Sequence, residues 1–354
     1  NATANYSVPL DEAVGSYTGD KLQINVGGQS VLLLSGETAQ ISGSDANQLT
    51  ISIPDYAVPG ETGLTFTDVK MTTPLFNVFE GTSSNASRDI TLSGELRDGR
   101  LTLNLTPTYK SDIIGVWNLN LETDDFGTAT LTPISIETEQ DISGSQFIVQ
   151  ILGALLKGSM AVVNIDFQAD GNLTATYNSN LLNDMMPALS GEQISPVFVH
   201  SPLNAIKWYV KDGALYLVPN LNLMLKNDPS KAQLGPLDPG TITTVGIPLY
   251  FKKEGDKMTV YVSKEQTAPV FGLLSTVISM IDPSFELSLG GSSLPLRSLL
   301  EALVKPLIDA ALAAERFDLC LNLVAGAIPE EAPQPGEEAS AAAVKRLEAF
   351  IAQQ

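Results

Sequence analysis

Four times in this chain, two runs of alternating apolar and polar residues meet at a step of aspartate and glycine. They are "ITLSGELRDGRLTLNLTP" at Asp98–Gly99, "VVNIDFQADGNLTATYN" at Asp170–Gly171, "KWYVKDGALYLVPNL" at Asp212–Gly213 and "IPLYFKKEGDKMTVYVS" at Gly255–Asp256. A period of two puts one apolar face on a strand. Asp-Gly tolerates the positive φ angles of a two-residue hairpin, whose twist matches that of the strands it joins. Each unit therefore predicts two neighbouring antiparallel strands, and a chain with several of them is constrained to up-and-down β architecture.

The runs before Pro107 have the same grammar. "KLQINV", "SVLLLSG", "QLTISI" and "GLTFTDVKMT" read as short strands, and residues 10–108 as one small antiparallel barrel or sandwich. "TPTYKSD" (Thr106–Asp112) marks a boundary, and "SDIIGVWNLNL" opens a second set of strands with Gly115 and Trp117 at its head. The second set is interrupted by apolar stretches of helical spacing. "QFIVQILGALLKG" carries Ile148, Ile151, Leu152, Leu155 and Leu156 on one face, and "LLNDMMPALSG" aligns Leu181, Leu182, Met185, Met186 and Leu189. "PVFGLLSTVISMIDP" sets Val270, Leu273, Leu274, Val277, Ile278 and Ile281 in helical register between prolines. "LPLRSLLEALVKPLIDAALAAERF" is longer, with a kink expected at Pro306. "IPEEAPQPGEEAS" has the Pro, Gly and Glu of an extended linker, and "SAAAVKRLEAFIAQQ" is an amphipathic helix expected to dock on this chain or a neighbour. The chain divides into a first barrel over 1–110, a second barrel with helical insertions over 111–328, and a linker with a helix over 329–354. That is two domains and a tail, in keeping with domains of roughly 100–200 residues.

Forty acidic against 20 basic residues leave a formal charge of −20, which repels phosphate backbones and sets nucleic acid aside as a partner. The same charge opposes attachment to anionic lipid through a basic patch. No run is long enough for a membrane helix. The absence of an initiating Met, the acidity and the single cysteine fit an exported, processed bacterial chain, with any lipid anchor on residues upstream of those given.

Catalytic chemistry finds little purchase. His200 is the only histidine, in "VFVHSPL", and reads as a loop or core residue. There is no H-E-x-x-H, P-loop or G-x-G-x-x-G, and "LGGSSLP" around Ser292 lacks the second glycine of a nucleophile elbow. Cys320 lies in the apolar run "RFDLCLNLVAG", as a small core residue does. The acidic spots "ETDDF" and "EEAPQPGEE" read as a strand-end turn and a solvated linker without a calcium-loop pattern. A two-carboxylate hydrolase remains the third reading, because carboxylates are abundant. No cofactor or metal site is expected.

"SDIIGVWNLNL", "VNIDFQADGNLTATYN" and "WYVKDGALYLVPNL" resemble secreted lipocalin-like proteins of Bacteroides and relatives, in which a G-x-W strand is followed by D-G hairpins. "VGSYTGDKLQINVGGQS" through "DGRLTLNL" resembles the calycin-like domain found in such exported lipoproteins. The resemblance spans roughly residues 12–325. It implies two calycin/lipocalin-like barrels and a periplasmic or outer-membrane address, and it implies no catalytic residue. The expected function is non-catalytic binding of a hydrophobic or lipid-like ligand in the second barrel. Expected lining residues are Trp117, Phe167, Tyr177, Met185, Met186, Trp208, Leu274 and Ile278. The competing readings are a solid, side-chain-filled barrel and a surface module that binds a protein or glycan, Trp208–Tyr209 being a possible sugar platform set behind core packing.

Overall fold

The computed structural model describes residues 10–72, 77–120, 122–123, 129–131, 133–139, 145–220, 243–266, 286–289, 292–295, 297–298, 301–302, 308, 311 and 313–353. The chain is mainly β, built around two large curled sheets.

A short helix α1 (Leu10–Ala13) precedes the first sheet. Its nine strands are β1 (Gly15–Thr18), β2 (Leu22–Val26), β3 (Gln29–Ser30), β4 (Thr38–Ser42), β5 (Leu49–Ser52), β6 (Thr65–Thr72), β7 (Asn77–Ser84), β8 (Arg88–Arg97) and β9 (Arg100–Tyr109). They lie in the order β1-β4-β5-β6-β7-β8-β9-β2-β3. The β8–β9 hairpin turns at Asp98 and Gly99, with φ of 51° and 75°, the left-handed pair that a tight hairpin demands. A bulge between Leu49 and Ile51 helps the sheet curl. Every neighbouring pair is antiparallel except β2 and β9, which run parallel from Leu22 opposite Leu101 to Val26 opposite Leu105. The antiparallel expectation fails at this one place for a physical reason. Tight turns force consecutive strands antiparallel, but β2 and β9 are far apart in sequence and free of that constraint. Alternate residues of the strands form a filled core in which Ile24, Ile41, Ile51, Phe66, Phe79 and Leu103 are fully buried. "VLLLSG" also departs from the strand reading, since pairing to β2 stops after Val31 donates to the Ile24 carbonyl.

The second sheet takes β10 (Gly115–Leu119), β13 (Ile134–Thr138), β14 (Val162–Phe167), β15 (Leu173–Asn178), β16 (Phe198–His200), β17 (Ile206–Lys211), β18 (Ala214–Pro219), β19 (Ile247–Glu254), β20 (Lys257–Val262) and β23 (Phe317–Ala325). Its order is β16-β15-β14-β10-β23-β20-β19-β18-β17, with β13 also on β23. Two separate ribbons pair β11 (Glu122–Thr123) with β12 (Ala129–Leu131) and β21 (Glu286–Leu289) with β22 (Ser292–Pro295). The hairpins expected at Asp212–Gly213 and Gly255 are present, with φ of 51°, 78° and 61°, and Gly171 turns the β14–β15 hairpin at φ 85°. The last strand curls back toward that hairpin, where Asn172 bridges Lys207 and Trp208 N–H donates to the Gly171 carbonyl at 2.9 Å. Helices α2 (Ser145–Gly158) and α3 (Leu181–Ser190) follow β13 and β15. The helical readings over 267–285 and most of 296–312 lie outside the described residues.

The two sheets meet at a tyrosine-lined seam. The loop between β5 and β6 brings the Pro59 carbonyl to the Tyr109 hydroxyl (3.4 Å) and the Gly60 carbonyl to Lys211 Nζ (3.4 Å). Gly60 has φ 80°, and a Cβ there would stand 2.4 Å from the Tyr209 ring, so only glycine fits. At the other end of the chain α4 (Ala341–Ala352) docks on its own second sheet. Ser340 caps it by accepting from Ala343 N–H, and Leu347 is fully buried against Val163 and Phe198.

Candidate functional site

The two faces of the second sheet carry different chemistry. Trp117, Phe167 and Trp208 are gathered into one apolar cluster with Ile113, Leu215, Met258 and Leu323. Trp117 Nε1 donates to the Ile113 carbonyl (2.8 Å), which fixes the ring of the Gly-x-Trp strand. Trp208 is fully buried, its ring 5.5 Å from those of Phe167 and Tyr109, with Nε1 donating to the Gln168 carbonyl (3.0 Å). Such tilted and edge-on contacts add to simple burial. Around this base the apolar side chains Leu173, Leu217, Leu249, Phe251 and Leu321 are only partly buried.

Of the other expected lining residues, Tyr177 is half-buried on the same face of β15 as Leu173, outside the aromatic cluster. Met185 is half-buried on α3. The side chain of Met186, and all of Leu274 and Ile278, lie outside the described residues. The structure thus brings together three of the eight and adds Tyr109 and Ile113, which end or follow strands where periodicity carries no signal.

The opposite face holds a buried polar row that the alternation rule does not announce. Asn164 stands opposite Thr176, and Thr176 opposite His200. Asn118, one residue past the Trp117–Ile165 pair, carries the row into β10. All four are buried. Asn164 has no hydrogen-bond partner at either end of its amide among the described residues. The available signal is in "LTATYN": its polar alternates are Thr174, Thr176 and Asn178, short and uncharged, whereas a solvated face usually carries Lys or Glu. The segment after β23 packs along this side. Gly326 abuts the Asn118 side chain, so a Cβ there would stand 2.5 Å from it, and Pro329 is buried. Further on, Gly336 N–H donates to the His200 carbonyl (2.9 Å), His200 N–H to the Glu337 carbonyl (3.3 Å) and Ala339 N–H to the Phe198 carbonyl (2.8 Å).

His200 Nδ1 lies 3.0 Å from Thr176 Oγ1. Burial depresses the imidazole pKa and the nearby Asp166 carboxylate opposes that shift. Asp166 is itself raised by burial, against a hydrogen bond from Gln168. A histidine whose folded pKa lies below its unfolded value of about 6.5 stabilises the fold fully above that pH and loses the contribution as pH falls through the folded pKa. Raised Asp166 works near pH 4, in the opposite sense: it favours the fold below its unfolded pKa. The urea midpoint is therefore expected to drop between pH 7.5 and 5.5, and His200→Gln is expected to flatten that drop. An equal drop in the variant would remove His200 as its source.

The remaining reactive groups are held by structural partners. Cys320 is buried, and burial pushes its thiol up to about 12, far from a thiolate at neutral pH. Asp184 is buried and accepts from Asn178 Nδ2 (2.7 Å), Asn180 Nδ2 (3.1 Å) and Ser195 N–H (3.2 Å), which pins α3 to β15. Asp318 pairs with Arg316 at 2.6 Å. Among the described residues no group of three or more His, Cys, Asp or Glu is placed to hold a metal ion, and no helix is long and apolar enough to cross a membrane. Compared with models of known protein families, with curated proteins and with solved structures, the chain matches none.

Proposed function

We propose that this protein is a non-catalytic binding protein that holds a hydrophobic or lipid-like molecule against the apolar face of the second sheet. One observation supports the reading. In the second sheet an almost fully buried aromatic base is ringed by strand residues whose apolar side chains are only partly covered, whereas beside the first core the partly covered apolar side chains Leu10, Val14, Val31, Leu33 and Ala46 all lie off the strands. Partly covered Leu and Phe gain free energy when an apolar ligand removes their remaining surface from water, at about 25 cal/mol per Å². An exported, lipid-anchored address belongs to the same proposal and rests on the motif resemblance around Trp117 and the hairpins. The test uses the two tryptophans, both of which lie at this base. Titration with dodecanol is expected to shift their emission, and native mass spectrometry of the purified chain is expected to show a co-purified apolar mass. No shift and no added mass would overturn the proposal.

A second reading, a surface module for a glycan, is favoured by tyrosines on the outer side. The rings of Tyr250 and Tyr261 lie 5.5 Å apart, and Tyr250 is exposed. Retention on an immobilised polysaccharide that is lost in Tyr250→Ala would select it.

A further inference from the structure

The first sheet curls without joining its two edges. A groove of about 780 Å³ lies between the end of β1 and the segment that follows β3, within the ~300–1,000 Å³ common for ligand sites. Its apolar part is Leu22, Val31, Leu33 and Leu34, and its polar end is Gln23 and Arg100. Two features set it apart from the rest of the surface. Leu34 in its lining is 65% exposed, and Leu32 beside the groove is 78% exposed, the largest exposures among the big apolar side chains of the described residues. Its lining residues carry one guanidinium and no acidic side chain, and the Glu37 carboxylate at the leucine end accepts from the Leu34 N–H at 2.6 Å.

Arg100 makes the charge argument specific. One Nη donates to Gln23 Oε1 at 2.7 Å, and the guanidinium forms no ion pair among the described residues. Among the described residues its other N–H donors meet no carboxylate. A guanidinium fork matches a carboxylate bidentately, better than an alcohol or an amine could. A net charge of −20 disfavours ligands with several negative charges, so the complement is a single anionic head. Behind that head the leucine strip offers a narrow apolar track for one alkyl chain.

We propose that this groove binds the carboxylate of a single-chain fatty acid, with the head on Arg100 and the chain along Leu22, Val31, Leu33 and Leu34. It is separate from the site in the second sheet, and the two proposals fail independently. Calorimetric titration of the full chain with dodecanoate, below its micelle concentration, is the test, with dodecanol and dodecylamine as comparators. Dodecanoate is expected to show a binding event that dodecanol and dodecylamine lack, any event at the second sheet being one that dodecanol shares. Arg100→Gln is expected to erase that additional event, and Leu34→Ser to weaken it severalfold. Both side chains are exposed, so neither substitution threatens the fold. Trp117 and Trp208 lie in the other sheet, so the Arg100-dependent event is expected to leave their emission unchanged. The same binding events with the alcohol as with dodecanoate, an undiminished additional event in Arg100→Gln, or dodecanoate uptake seen only through tryptophan emission would each overturn the proposal.

Discussion

Trp208→Ala is expected to cost about 3–5 kcal/mol, the range for emptying a large aromatic site in a core. The ring is fully buried and makes two aromatic contacts at 5.5 Å, so its loss removes packing on both sides. It also removes the donor to the Gln168 carbonyl, in the turn where β17 approaches the β14–β15 hairpin. For a sheet domain of this size the melting temperature falls roughly 2–4 °C per kcal/mol, so a shift on the order of 10 °C is expected. Trp117 stays in the same cluster and reports the transition by its emission. Trp208→Phe keeps a ring and gives up the Nε1 donor, so it is expected to lose about 1–2 kcal/mol. A Trp208→Ala loss below 1 kcal/mol would show that the aromatic base does not hold the second sheet together.

The second large effect is expected at Arg88. Its guanidinium is almost fully buried, gripping Glu61 with two hydrogen bonds of 2.7 Å and donating to the Ser83 carbonyl and hydroxyl. The carboxylate raises the Arg88 pKa against the lowering effect of burial, so the charge is held at all ordinary pH. Removing one partner of such a pair strands the other, at a cost of about 3–5 kcal/mol, whereas replacing both by apolar groups is often near neutral. Arg88→Met should therefore destabilise strongly in urea titrations monitored by circular dichroism, and Arg88→Met with Glu61→Leu should recover most of the loss. If the double variant were no better than the single one, packing rather than charge would be responsible. Glu61 closes the loop that carries Pro59 and Gly60, so the single variant should also weaken the seam with Tyr109 and Tyr209.

What could be read from the residues follows the range of the physics. The turns at Asp98–Gly99, Asp212–Gly213 and Gly255 are local: a two-residue link sets the direction and register of both neighbours, and the structure has these hairpins. Trp117 and Trp208 were legible as packing residues, because a large ring on an alternating strand has few other places to go. The parallel contact of β2 with β9 was not legible, since nothing near Leu22 encodes Leu101. The Arg100 groove was hidden for the opposite reason. "VLLLSG" has the composition of a buried strand, and only the end of pairing after Val31 turns two of its leucines outward. The polar row under the tail was masked by the habit of equating polar alternates with solvent. Asn164 and Thr176 show that the second face of a strand can be covered by chain far away in sequence.

The parallel pairing of β2 with β9 has a consequence for how the chain is made. Leu22 leaves the ribosome long before Leu101 exists, so the N-terminal strands wait with an unpaired edge while the antiparallel ladder from β4 to β9 assembles by short steps. Completion of the first sheet is then a late event in its synthesis. In that interval β2 is an unpaired edge, and a chaperone would matter most there.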